Sequence, residues 1–193
     1  MNKYYNNQAK YYDAYRHEML HGKFPLMSSI PWRPNMKILI LAGGTGDILD
    51  YIKDIIPQMD KIVISDISTS MIDFANIRVQ KNKWTNVTCI CEDATEINTE
   101  DKYDLILISY SLTMIPPWKK VIDKSIECLN ENGQLGVCDF TSSKKQFTIC
   151  KYIFKFIFSI NHINLHDEYI SYIKSKLNTL FIRSNTGGFP FVP

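Results

Sequence analysis

The chain has 193 residues, 45% of them hydrophobic and 22% charged, which suits one well-packed domain and not a disordered tail. A net charge of +2 argues against a generic nucleic-acid-binding chain. The charge is unevenly spread: residues 1–143 hold 15 lysines and arginines against 18 acids, whereas residues 144–193 hold 7 against 2.

Met1-Asn2-Lys3-Tyr4-Tyr5 lacks the apolar core of a secretory signal. The five cysteines (Cys89, Cys91, Cys128, Cys138, Cys150) form no CxxC pair and read as reduced, buried, intracellular thiols. The most apolar stretch, Phe147 to Ile160, is broken by Lys151 and Lys155 and falls short of the roughly 20 residues that span a bilayer. The expectation is a cytoplasmic protein, peripheral at a membrane at most.

In chain order, residues 3–30 read as helical, with Pro25 and Pro31 punctuating the end. After Pro34 the pattern changes to short apolar runs typical of buried parallel strands: Lys37–Ala42, Lys61–Ser65, Val87–Cys91, Tyr103–Tyr110 and Gln134–Phe140. Helical stretches alternate with them. One runs from Gly46 to Ile56 and stops at Pro57, and one from Ser68 to Lys81 has Ser68 or Thr69 as its N-cap. A third spans about Pro117 to Leu129, and Asn132-Gly133 then turns the chain. Strands alternating with helices predict an α/β, doubly wound, mostly parallel sheet of Rossmann-like form.

Ala42-Gly43-Gly44-Thr45-Gly46 follows the first strand and opens the next helix, where glycines let a ligand approach the backbone closely. The dinucleotide pattern fails, because Leu49 stands where its third glycine belongs. The spacing of Ala42, Gly44 and Gly46 suits an adenosyl ligand without a pyrophosphate. Asp47, at the positive end of the predicted helix, repels phosphate and tolerates a cationic sulfonium. Asp66 ends the second strand, where its carboxylate can take both ribose hydroxyls. Asp93, in Glu92-Asp93-Ala94 just past the third strand, can accept the adenine amino group.

This order of elements over residues 36–143 resembles class I S-adenosylmethionine-dependent methyltransferases. Ile38–Leu49 (ILILAGGTGDIL) is similar to the loop of ubiquinone/menaquinone C-methyltransferases. Other segments resemble the N-methyltransferase part of betaine-lipid synthases, which trimethylate the amine of diacylglyceryl-homoserine. These are Tyr12–Met27, Trp84–Ala94, Ser109–Trp118 (SYSLTMIPPW), Gly136–Phe140 and Gly188–Pro193. The leading expectation is therefore lipid amine N-methylation. The alternatives are polyprenyl-quinone C-methylation and a non-catalytic cofactor-binding partner subunit.

The resemblance implies S-adenosylmethionine held by Ala42, Gly43, Gly44, Gly46, Asp66, Ile67, Asp93, Ala94 and Ser109, with Tyr12 covering it from the N-terminal helix. Ser109 and Tyr110 would line the site where the amine meets the methyl group. The sulfonium is already activated, so a base is optional; Tyr110 or Asp139 are the candidates. Two departures stand out. Ile40 replaces an acid usual two residues before the loop's small residue, and the family continues into a further strand beyond the position of Pro193. The expectation is therefore a sequence that is either cut short or lacks that last strand.

The domain divides into a helical cap (1–35), a cofactor-binding core (36–143) and a basic aromatic segment (144–193). Residues Gln146–Ile160, read as a helix, gather Thr148, Lys151, Lys155 and Ser159 on one polar stripe. Residues 144–160 could thereby meet a membrane surface bearing a lipid substrate. His17/His21 and His162/His166 have helical metal-ligand spacing but no third ligand, so no metal is expected. Pro116-Pro117 is expected to open the next helix. The sequence is silent on oligomeric state.

Overall fold

The computed structural model describes residues 22–98, 100–140 and 168–177. Five strands, β1 (Lys37–Leu41), β2 (Lys61–Asp66), β3 (Val87–Cys91), β4 (Tyr103–Ser109) and β5 (Leu129–Cys138), form one sheet in the order β3-β2-β1-β4-β5. Every pairing is parallel. Among the described residues four α-helices accompany it: α1 (Lys23–Ser29), α2 (Thr69–Asn82), α3 (Trp118–Glu127) and α4 (Tyr169–Lys176). The doubly wound α/β expectation holds.

The three central strands, β1, β2 and β4, are apolar along most of their length because both faces of the sheet are covered there. Ile38, Ile40, Ile62, Ile64, Leu105 and Leu107 pack on one face, and Leu39, Leu41, Val63, Ile106 and Ile108 on the other. The alternation of strand side chains thus feeds two cores and no solvated face. The strand order reverses between β1 and β4, and the carboxyl ends of those strands open the crevice where such folds take ligands.

Three local readings need correction. The helix expected over Gly46–Ile56 is two 3-10 turns, Asp47–Tyr51 and Ile56–Gln58, linked by three-residue hydrogen bonds such as Ile52 N to Leu49 O at 3.0 Å. Ile48, Ile52, Ile55 and Ile56 are β-branched and stiff in a helix, and Pro57 removes a donor. Burying Ile48, Leu49, Ile52 and Ile56 under the sheet replaces helical regularity.

Asn132-Gly133 does not turn the chain out of the sheet. It forms an irregularity inside β5, whose register jumps from Tyr103↔Leu129 to Leu105↔Gln134. A Cβ on Gly133 would lie 2.9 Å from the Tyr103 carbonyl oxygen, so the bulge needs glycine. Ser68 does stand at the N-cap of α2, but its hydroxyl pairs with Ser70 Oγ at 3.0 Å and caps no backbone N–H.

Pro117 occupies the position before α3, as expected of a helix-opening proline. Of the described cysteines, Cys128 is buried, Cys89 and Cys138 are half-buried, and Cys91 is exposed at the end of β3, against the expectation of burial. All four histidines, Tyr12, Cys150, most of the helical cap and the 144–160 stripe lie outside the described residues. Among the described residues no helix is long and apolar enough to cross a membrane.

Candidate active site

A cavity opens at the carboxyl ends of the strands, lined by the glycine loop, the ends of β2, β3 and β4, and the segment leading into α3. The two strands flanking the switch point leave the sheet in the same unusual way. Ala42 after β1 has φ 48° and Tyr110 after β4 has φ 54°, a left-handed conformation uncommon for residues with a side chain. These bends carry the chain away from the sheet on either side of the crevice.

The loop floor is built by close approach. A Cβ on Gly43 would sit 2.8 Å from Ile64 Cγ2 and 3.0 Å from Ile40 Cγ2, and Gly43 N donates to Ser65 O at 2.9 Å. Gly44 (φ 56°) turns its amide onto Asp66 Oδ2 at 2.8 Å, while Asp66 Oδ1 accepts from Ser68 N at 2.9 Å. Asp66 therefore ties the loop to the start of α2 and still has lone pairs for a ligand. Burial pushes its pKa up, partly offset by the Ser68 and Gly44 amides.

Of the residues singled out in the sequence, Ala42, Gly43, Gly44, Asp66, Ile67, Asp93, Ala94, Ser109 and Tyr110 all line this one cavity. Asp93 Oδ1 accepts from Thr95 N at 2.8 Å, which fixes its carboxylate and leaves the other oxygen for a ligand.

Gly46 and Asp139 are not among the lining residues. Gly46 supports the loop from behind: its φ is 72°, and a Cβ there would meet Ile64 Cδ1 at 3.0 Å. Asp139 is engaged elsewhere. It accepts from Thr113 Oγ1 at 2.9 Å, Thr113 N at 3.2 Å and its own neighbour Phe140 N at 2.7 Å. Burial raises its pKa to about 6, against the lowering effect of those bonds. It holds the 3-10 turn Leu112–Met114 to the end of β5 and is not placed to take a proton from a ligand.

Tyr110 reaches the site but is a poor base. Its hydroxyl oxygen accepts from Gly22 N at 2.8 Å, its ring centroid lies 4.8 Å from that of Phe140, and burial drives its pKa far up. The phenol keeps its proton.

Further residues line the cavity beside these. Lys23 and Asp47 meet across the cavity wall, with Nζ 2.7 Å from Oδ1 and 2.5 Å from Oδ2. Asp47 is thus an ion-pair partner as well as an obstacle to phosphate. Met71, Glu92, Thr95, Ser111 and the wall Met114-Ile115-Pro116-Pro117 complete the lining. The prolines both open α3 and close the cavity; the uncommon string itself was the available signal. Lys23 gave none, because only the fold brings it beside a residue 24 positions later.

Residues 10–172 match the ubiE/COQ5 methyltransferase family. A ubiquinone/menaquinone biosynthesis C-methyltransferase UbiE of Vibrio parahaemolyticus is 31% identical over 111 residues, covering 56% of this chain and 43% of that protein. The chain spans less than half the length of that relative. Among solved structures, a SAM-dependent methyltransferase from Aquifex aeolicus superposes with a TM-score of 0.62 at 16% identity, covering 80% of this chain and 86% of that one. A complex of DhpI with SAM gives 0.59 at 20% identity, covering 74% and 65%. These structural likenesses carry the fold, and the sequence match over most of its length places the chain in the ubiE/COQ5 methyltransferase family.

Proposed function

We propose that the chain binds S-adenosylmethionine in this cavity and transfers its methyl group to a ring carbon of a polyprenyl-quinone precursor. The observation that carries the cofactor reading is the placement of Asp66, bonded to Gly44 N and Ser68 N yet lining the cavity with lone pairs to spare. A carboxylate so placed suits vicinal ribose hydroxyls. The remaining charges agree: Asp47, Asp66, Glu92 and Asp93 face the cavity with Lys23 as the only lining cation among the described residues. That balance favours a sulfonium and opposes a pyrophosphate. The quinone reading rests on the family and on the name of the Vibrio relative.

The bound cofactor supplies an activated methyl group, and the chain supplies position and dryness. Asp66 and Asp93 fix the adenosyl end, and Met114, Ile115, Pro116 and Pro117 form an apolar wall next to Ser109 and Tyr110. Among the described residues that wall carries no histidine and no carboxylate.

N-methylation of a diacylglyceryl-homoserine amine is the second reading. It is favoured by the Ser109–Pro117 string, most of which lines the cavity. A methyl-labelled cofactor offered with a demethylated quinol or with diacylglyceryl-homoserine separates the two. Label on the quinol carbon is the expected result. Label on the amine alone would overturn the quinone reading in favour of the second. Cofactor binding without label on either acceptor would favour the non-catalytic partner subunit.

A further inference from the structure

Two buried hydroxyls have no hydrogen-bond partner among the described residues, Ser65 Oγ and Ser111 Oγ, and of the two only Ser111 lines the cavity. Ser111 is 3% exposed. A buried hydroxyl left unpaired is costly, and native structures hold few of them. Its position has an ordinary use. Ser111 is the N-cap of the 3-10 turn Leu112–Met114, where a serine side chain accepts from the amide two or three residues on. Here it makes no such bond, because both amides are taken. Thr113 N donates to Asp139 Oδ2 at 3.2 Å, and Met114 N donates to the carbonyl oxygen of Ser111 itself at 3.0 Å. Asp139 does the capping, and Ser111 Oγ is released from it.

The surroundings narrow what the released hydroxyl can meet. Ser111 stands just past the end of β4 and just before the apolar wall Met114-Ile115-Pro116-Pro117. The acids of the cavity, Asp47, Asp66, Glu92 and Asp93, lie at or beyond the ends of β1, β2 and β3, across the switch point. Beside the wall, the Tyr110 hydroxyl is already held by Gly22 N. A flat aromatic ring suits the wall, and an oxygen on that ring suits a hydroxyl that can donate or accept. We infer that Ser111 Oγ hydrogen-bonds the acceptor's ring hydroxyl next to the carbon that receives the methyl group, and so selects acceptors with an oxygen there. In a para-quinol ring every unsubstituted carbon lies next to a hydroxyl-bearing one, so this bond orients the ring by the oxygen beside the reacting carbon. The bound quinol satisfies a group that the protein leaves unpaired, and an analogue without that oxygen does not. This role for Ser111 rests on the quinone reading and adds a specificity-determining residue to it.

Binding without turnover tests it. The full chain, saturated with S-adenosylhomocysteine, is titrated anaerobically with a short-chain demethylated quinol. A second titration uses the analogue in which hydrogen replaces the ring hydroxyl beside the acceptor carbon. Wild-type protein should prefer the quinol by about tenfold to a hundredfold. Ser111→Ala should lose that preference while keeping the affinity for the analogue. Its urea midpoint should be no lower than that of wild-type protein, because no bond of the folded chain is lost. A preference that survives in Ser111→Ala overturns the inference, since the oxygen is then read elsewhere. A lower midpoint or a failure to fold overturns it too, by giving the hydroxyl a structural partner. Equal affinity of wild-type protein for the two acceptors removes the role of Ser111 and leaves the quinone reading standing. If neither acceptor binds wild-type protein, the quinone reading falls and the role of Ser111 with it.

Discussion

On the β1–β2–β3 side of the switch point the cavity floor is a glycine loop tied to a strand end. Gly43 rests on Ile64 and Ile40, Gly44 turns its amide to Asp66, and Asp66 reaches on to Ser68. On the β4–β5 side the wall depends on side chains that grip distant parts of the chain. Tyr110 holds Gly22, 88 residues away, and Asp139 holds Thr113, 26 residues away. The first side is a loop seated on an apolar sheet and tied across 22 residues; the second is held by side-chain contacts that span 26 and 88 residues. Substitutions on the two sides should therefore fail differently.

The largest effect is expected at the floor of the first side. Ile64 is fully buried beneath both Gly43 and Gly46, so Ile64→Ala should cost about 2–5 kcal/mol, read from urea unfolding. It should also weaken S-adenosylhomocysteine binding, because the loop loses its support. A full loss of stability with unchanged affinity would mean that the loop does not depend on the sheet beneath it.

Next comes Asp139 on the second side, where pH is the probe. Its folded pKa of about 6 lies above the ordinary 3.8, so the native state holds this proton more tightly than the unfolded chain does. Its contribution is most favourable below pH 3.8 and is lost as pH rises towards 6, by about 3 kcal/mol in all. Asp139→Asn should remove that slope. Compared between pH 4 and 7, wild-type protein should gain stability relative to the variant as pH falls; parallel profiles would place Asp139 in a more solvated setting than the structure shows.

Asp66→Ala returns to the first side and tests the site directly. Losing two charge-assisted bonds to ribose should weaken S-adenosylhomocysteine binding about a hundredfold. Unchanged affinity would refute the site assignment.

The same contrast explains what could be read in the sequence. Buried parallel strands announce themselves as apolar runs, and a glycine loop followed by Asp66 and Asp93 at successive strand ends is a linear pattern. Nine predicted lining residues from Ala42 to Tyr110 meet in one cavity for that reason. The segment after the loop reads as a helix because its isoleucines satisfy helical spacing as well as they satisfy burial in 3-10 turns. Tyr110 and Asp139 were singled out by position at strand ends, but their bonds to Gly22 and Thr113 depend on the fold. Gly22 itself carries a negative φ of −71°, so no turn signal marks it; its need for glycine arises only from the closeness of Tyr110 and Cys138.

That closeness gives the smallest and most pointed test of the second side. Gly22→Ala places a Cβ against Tyr110 Oη and Cys138 Sγ, and α1 must shift, at about 1–2 kcal/mol for a short helix that can move. Tyr110→Phe removes the acceptor of the Gly22 amide and should cost about 1 kcal/mol. The two changes share one contact, so they should not add. Removing the hydroxyl also removes one of the two atoms that the new methyl group strikes, so the double variant should be more stable than the sum of its parents predicts. Strict additivity in unfolding measurements would show that α1 is not seated on Tyr110, and Lys23 would then lose one of the two holds that keep it at the cavity wall.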